Sequence, residues 1–255
     1  MRPFQPEQFL EICEKTIRLP RQRNTIGTLS EKTLHAVLKQ YYEPFAAMHE
    51  MKIGRYIADI INEDGVLEIQ TGSFTGLKRK LECFLPVTNV TIVCPVVHHK
   101  WISWLQPETG EIVSKRKSPK AGLASDACYQ LCSILPYLTN PKLTICLPLV
   151  DVEEYRALDD RSKSRKRTSH RIEQIPVKLV GEVLLHSQRD YLRLVPELPD
   201  GTFTAVSLAS ALNRSVKRTR PLITVLETVG AVRRAGKEGR RILYELYHGL
   251  GDENF

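Results

Sequence analysis

The sequence predicts an α/β protein: a mixed central sheet flanked by helices, followed by a small C-terminal domain of helices and a hairpin. Three observations carry this. First, the short runs HEMKIGRY, YIADIIN and GVLEIQTG follow one another from His49, with side chains that alternate as strands require. Second, the helical run FTGLKRKLECFLP leads into VTIVCPVV, a continuous apolar stretch of the kind buried on both faces of a sheet. Strand, helix and buried strand imply a crossover and partly parallel pairing. Third, FTAVSLASALN, KRTRPLITVLETVG and AVRRAGKEGRRILYELY give two helices and a basic hairpin near the C-terminus. Composition divides the chain into a helical extension (1–28), the α/β domain (29–160), a basic linker or loop (161–171) and the C-terminal domain (172–255).

The elements follow in order. PEQFLEICEKTIRL reads as a helix ended by Pro20, and Arg21–Asn24 as a polar link. Ser30 is an N-cap for EKTLHAVLKQYYEP, in which Leu34, Val37, Leu38 and Tyr41 recur at helical spacing. Ile57, Asp59 and Ile61 share one face of the second strand, Ala58 and Ile60 the other. Asn62–Gly65 supplies the turn into the third strand. Ser73 is placed to cap the next helix, which Pro86 closes. KWISWLQPETGEIVSKRK reads as a hairpin around Pro107–Gly110, LASDACYQLCSILPYL as one amphipathic helix, and KLTICLPLVDVEEY as a strand with an acidic end. RSKSRKRTSHR is basic and without apolar periodicity, and SQRDYLRLVP beyond it is again helical in pattern.

At 255 residues and 42% hydrophobic content the chain has enough apolar material for a core without staples. The formal net charge of +8 favours a polyanionic partner, DNA or RNA first. Neither a signal-peptide core nor a membrane-length apolar run is present, so a cytoplasmic location is expected. Of the six cysteines, Cys83, Cys94 and Cys146 sit in apolar runs. Cys128 and Cys132 share a helix face but lack the CxxC or HxxxH companions of a zinc site.

The chemistry concentrates in acidic residues of the early strands. Glu68 and Gln70 point to one face, and a hairpin brings Asp59 beside Glu68. Converging carboxylates repel unless a cation lies between them, and Mg²⁺ (or Mn²⁺) suits such a hard oxygen site. Glu50, one strand earlier, is a further ligand candidate.

The order of helix, strand with Glu50, strand with a late Asp59, Glu-x-Gln strand, lysine-bearing helix and buried strand resembles the PD-(D/E)xK nuclease superfamily, over roughly Glu31 to Val97. ADI stands for the first motif and EIQ for the second, in the ExQ variant. The resemblance implies a restriction-endonuclease-like fold and metal-dependent phosphodiester hydrolysis. Asp59, Glu68 and Glu50 would hold the metal, and Gln70 would orient the attacking water. Gln70 carries no charge where the family usually has lysine; Lys78, Lys80 or Lys100 would supply it, Lys80 first. EIQTGSFTGLKRKL, VTIVCPVVHHKWI and ETGEI with RKSPKAG also look like a family of uncharacterised bacterial proteins. In RKSPKAG, Arg116, Lys117 and Lys120 either hold backbone phosphate or form a solvated hairpin end.

Phe203 to Leu246 resembles a winged helix-turn-helix. Ser215 to Val229 would then be the recognition helix, with Lys217, Arg218 and Arg220 near its start; Pro221 within it allows a start nearer Arg218 or Thr219. Arg233, Arg234, Lys237, Arg240 and Arg241 would line the wing. The reading is a DNA-binding, metal-dependent nuclease, alone, as a homodimer or in a larger DNA-processing complex. The alternatives are a non-catalytic DNA-binding protein on a nuclease scaffold and a protein-interaction subunit.

Overall fold

The structure is a computed structural model that describes residues 4–18, 33–106, 109, 111–159, 168–195 and 201–247. Pro20, the Arg21–Asn24 link, the Ser30 cap, Glu31 and most of the Pro107–Gly110 turn lie outside the described residues. The architecture is mixed α/β, with parallel and antiparallel strands in its main sheet. In chain order the elements are α1 (Pro6–Arg18), α2 (Thr33–Tyr42), β1 (His49–Ile53), β2 (Tyr56–Asn62), β3 (Gly65–Ile69), α3 (Leu77–Phe84), β4 (Val90–Val93), β5 (Val96–Leu105), β6 (Ile112–Lys117), α4 (Cys128–Leu131), β7 (Leu143–Asp159), β8 (Thr168–Leu185), β9 (Thr202–Thr204), α5 (Ala205–Ala211), α6 (Val216–Thr228), β10 (Val232–Glu238) and β11 (Arg241–Leu246).

The chain divides into two compact units. One takes the described residues up to His49 with Pro95–Gly122 and Pro148–Glu182. Here β5 runs parallel to the later part of β7 and antiparallel to β6, and β8 pairs with β7. Leu34, Val37, Leu38 and Tyr41 are buried as the helical spacing requires, and Phe9 of α1 meets Tyr41 edge-on at 5.3 Å.

The other unit takes Glu50–Cys94, Leu123–Leu147 and Val183 onward. β2 and β3 form an antiparallel hairpin, and β3, β4 and the start of β7 are successively parallel. α3 is the crossover: Leu77, Leu81 and Phe84 form its buried stripe. Gly65 ends the hairpin turn at φ 116°, where a Cβ would stand 2.4 Å from the Asn89 carbonyl oxygen, so no other residue fits. The C-terminal segment belongs to this unit: α6 packs on α4 and the 3₁₀ turn Cys132–Tyr137, and Arg214 reaches Asp126 at 3.2 Å.

Several expectations are corrected. VTIVCPVV is two strands, because Pro95 has no N–H for a ladder and ends β4 at Val93. The expected helix over LASDACYQLCSILPYL breaks into 3₁₀ turns around the single α-turn of α4, with Ile134 at φ −126° before Pro136. Ser73 does not cap α3. Its Oγ accepts the Thr75 N–H, and the helix starts after Gly76 at φ 86°. α6 runs Val216–Thr228 between Ser215 and Val229, as the pattern gives it, and accommodates Pro221 inside, so the later start near Arg218 is not needed. SQRDYLRLVP forms a 3₁₀ stretch, Gln188–Leu194, with Asp190 bonded back to Ser187. The basic segment expected as a linker lies largely outside the described residues, but its last residues open β8, so position 172 falls within a strand.

Candidate functional site

The first cluster is built by the β2–β3 hairpin. Its register pairs Asn62 with Gly65, Ile61 with Val66 and Ile60 with Leu67. Continued by one residue, it sets Asp59 across from Glu68, and directly opposed residues share a face. The two are also tied by hydrogen bonds. Asp59 Oδ2 accepts the Ile69 N–H at 2.7 Å. The Asp59 N–H in turn donates to the Glu68 carboxylate.

Glu68 is fully buried. Burial and then the charge of Asp59 push its carboxyl up to about 7, although Lys80 opposes both. Lys80 lies beside the buried stripe of α3 and places Nζ 3.0 and 2.7 Å from the two Glu68 oxygens. This distinguishes the three lysines that the sequence offered. Lys78 is exposed, and Lys100 bonds to Glu154 in the other unit. Gln70, half-buried just past β3, is fixed through its backbone N–H to the Val93 carbonyl. Glu50 is exposed on β1 at φ 54°. It does not close with Asp59 and Glu68 into a group of three ligand atoms within 4.8 Å. The contacts therefore join two carboxylates and one lysine, with Gln70 placed by its backbone N–H. Glu68 is hard to ionise first because it is buried and second because Asp59 is charged, and a hard cation beside both carboxylates would favour the ionised form.

A second cluster belongs to the other unit. Asp151 Oδ1 on β7 receives the His99 N–H at 2.9 Å and lies 3.1 Å from His98 Nδ1 and 3.5 Å from His99 Nδ1. Three residues further, buried Glu154 takes bonds from Lys100 (3.2 Å), Arg156 (2.5 Å) and Gln174 (2.9 Å). Burial works against its charge, but these donors hold its carboxyl below the usual carboxylate range. The sequence marks the acidic end of β7 but does not single out the two histidines; in a regular strand, alternation would send neighbouring histidines to opposite faces. Cys128 is buried and Cys132 donates to the Pro221 carbonyl at 3.8 Å; neither joins a three-ligand group among the described residues.

The expected DNA-binding residues divide. Arg116, Lys117 and Lys120 are exposed, in the unit of Asp151 rather than that of Asp59. Lys117 Nζ sits 5.4 Å over the Trp101 ring. In the C-terminal segment β9, β11 and β10 form a three-stranded sheet, and Lys217, Arg218, Arg220 and Lys237 are exposed. Arg220, Arg234, Arg240 and Arg241 line a cleft of about 380 Å³ with Thr224 and Glu227. Arg233 is paired with Glu245 and Arg234 with Glu227, both at 2.7 Å.

The fold and first cluster thus define an α/β protein with opposed carboxylates and a lysine at a hairpin–crossover junction. Residues 32–186, more than half the chain, match the family described as Domain of unknown function (DUF8091), and the chain belongs to that family. Both clusters fall within those residues; the three-stranded C-terminal module falls outside them. An uncharacterized protein of Treponema pallidum (strain Nichols) is 30% identical over 142 residues, 55% of this chain and 56% of that protein. The chain thus spans about half the length of the curated relative it matches. No solved structure matches. Among the described residues no helix is long and apolar enough to cross a membrane.

Proposed function

We propose that this protein is a metal-dependent DNA nuclease of the PD-(D/E)xK type, in its ExQ form, with a winged-helix module that grips DNA. The observation that carries the reading is Lys80 Nζ on both oxygens of Glu68, across the hairpin from Asp59. The lysine that the motif lacks at Gln70 is delivered by the crossover helix instead. Asp59 and Glu68 fit one hard divalent ion, Mg²⁺ or Mn²⁺, with waters completing its shell. When bound, such an ion activates water and stabilises charge on a scissile phosphate.

The chain's own residues set the conditions. The Ile69 N–H holds the Asp59 carboxylate in place. Lys80 keeps positive charge at the carboxylates and would meet a phosphate oxygen there. Gln70, an amide two residues beyond Glu68, would orient water. Glu50 stands outside this group and acts at most indirectly. The order β9, α5, α6, β10, β11 with a β10–β11–β9 sheet supports the winged-helix reading. Lys217, Arg220 and Thr224 recur along the open stripe of α6, and Arg240 and Arg241 lie across the cleft from it.

The test is cleavage of supercoiled, linear and single-stranded DNA with Mg²⁺ or Mn²⁺, comparing wild type with Asp59→Asn and Glu68→Gln. Cleavage that depends on metal and on both carboxylates is expected. DNA binding without cleavage under any divalent metal would replace this reading with that of a DNA-binding protein on a nuclease scaffold.

A further inference from the structure

We propose that His98, His99 and Asp151 form a second metal site, selective for a divalent transition ion of the zinc class. It stands independently of the nuclease reading, since its residues belong to the other unit.

The site is made by a β-bulge. Along β5, Val97 pairs with Val150 and Lys100 with Val152, so His98 and His99 together oppose Asp151 alone. In a regular strand these two histidines would point to opposite faces. The extra residue re-aims one side chain, and bulges serve this purpose beside functional sites. The rings come to 4.0 Å between centroids at 71°. Gly122 braces the bulge: its N–H donates to the His98 carbonyl at 2.7 Å. A Cβ there would stand 2.1 Å from the Val97 carbonyl oxygen.

The distances favour co-ligands over a simple histidine–aspartate pair. Two ligand atoms each about 2.0–2.1 Å from one tetrahedral ion stand about 3.3–3.4 Å apart. The Asp151 Oδ1 distances of 3.1 Å to His98 Nδ1 and 3.5 Å to His99 Nδ1 bracket that edge. One carboxylate satisfied by one imidazole would need no second ring at the limit of hydrogen bonding. All three ligand atoms lie within 4.8 Å of one another.

Donor chemistry sets the ion. Two imidazole nitrogens and one carboxylate oxygen suit Zn²⁺, Fe²⁺, Co²⁺ or Ni²⁺, whereas Mg²⁺ and Ca²⁺ take oxygen shells. On binding, each ring gives its Nδ1 lone pair to the ion and carries its proton on Nε2. The His99 N–H donates to the same Asp151 Oδ1 and fixes that oxygen in place, as hydrogen bonds to ligating carboxylates do. The histidine side chains are 27% and 29% exposed, which leaves the remaining coordination positions to water. Three protein ligands with an open position is the arrangement of catalytic rather than structural zinc sites.

The experiment is calorimetry of the EDTA-stripped full chain with ZnCl₂, together with the visible spectrum of the Co²⁺ form. One zinc per chain is expected, unchanged in the Asp59→Asn/Glu68→Gln double variant. Affinity should fall at least about 100-fold in His98→Ala, His99→Ala or Asp151→Asn, beyond the roughly 10–100-fold of an outer partner. Histidine ring NMR of the wild type gives the same answer without substitution: zinc should shift the signals of two histidines. Absence of stoichiometric zinc, retention of full affinity in the His98→Ala/His99→Ala double variant, or unmoved ring signals would overturn the site. So would Mg²⁺ binding as tightly as Zn²⁺. These outcomes leave the Asp59–Glu68 reading untouched.

Discussion

Glu68 and Glu154 are both buried glutamates on strands, 0% and 2% exposed, and the chain treats them oppositely. Glu154 is saturated: Lys100, Arg156 and Gln174 donate to its two oxygens, and its carboxyl is held ionised below the usual range. Glu68 has Lys80, but burial first and the charge of Asp59 second push its carboxyl up to about 7. A fully compensated buried carboxylate is part of the scaffold. An under-compensated one beside a second carboxylate stores a conflict that a cation resolves, and perturbed groups of this kind mark functional sites.

Removing Asp59 or Glu68 should have the largest effect. Lewis-acid stabilisation amounts to several kcal/mol, and about 1.4 kcal/mol is tenfold in rate. Asp59→Asn and Glu68→Gln should therefore each lower Mg²⁺-dependent cleavage by about a hundredfold or more in a plasmid assay. Glu154→Gln should keep its metal dependence. An equal loss in all three would erase the distinction.

Stability should reverse that order. Breaking a buried ion pair costs about 3–5 kcal/mol, less where the freed partners reach water. Lys100 and Arg156 are 29% and 30% exposed, so Glu154→Gln should cost about 1–3 kcal/mol by urea unfolding. Glu68→Gln should be neutral or stabilising at pH 8.

The pH dependence sharpens the contrast. Glu68 is raised from 4.5 to about 7 in the fold, so the native state binds more protons than the unfolded chain between those values. Stability therefore falls as pH rises through that window, by up to about 3 kcal/mol, and is flat above it. The wild-type melting temperature relative to Glu68→Gln should trace this fall. Mg²⁺ affinity should rise through pH 7 as Glu68 ionises. Glu154 acts with the opposite sign: its contribution is lost as pH drops below the ordinary carboxylate range. A flat difference between wild type and Glu68→Gln from pH 4.5 to 8 would remove the basis for the comparison.

The smallest effects extend the same logic to DNA. Arg240 and Arg241 line the cleft with no ion pair among the described residues, whereas Arg233 and Arg234 are already paired with carboxylates. Each phosphate that is no longer neutralised changes the slope of log affinity against log salt by about 0.9. Arg240→Ala/Arg241→Ala should flatten it by up to about 1.8, and Arg233→Ala/Arg234→Ala by less. Equal slopes would mean that pairing does not decide which arginines meet phosphate.

By itself the sequence determined the α/β class, the β2–β3 hairpin, the crossover α3 and the helix–helix–hairpin C-terminus. It also placed Asp59 opposite Glu68. These follow from alternation, turn residues and helical spacing, all readable within a dozen residues. Only the tertiary structure decided the rest. The sequence put Lys80 ahead of Lys78 and Lys100, but only the structure set its Nζ on the Glu68 carboxylate, because helical phase alone does not name a partner. Pro95 split one apolar run into two strands, and β8 begins within the last residues of the basic stretch, because pairing with β7 extends the strand beyond its apolar part. The union of His98, His99 and Asp151 needed a bulge, whose register shift exists only between two strands about fifty residues apart. Local periodicity carries no record of such a shift, so the pairing of Asp59 with Glu68 was legible in the chain and the grouping of His98, His99 and Asp151 was not.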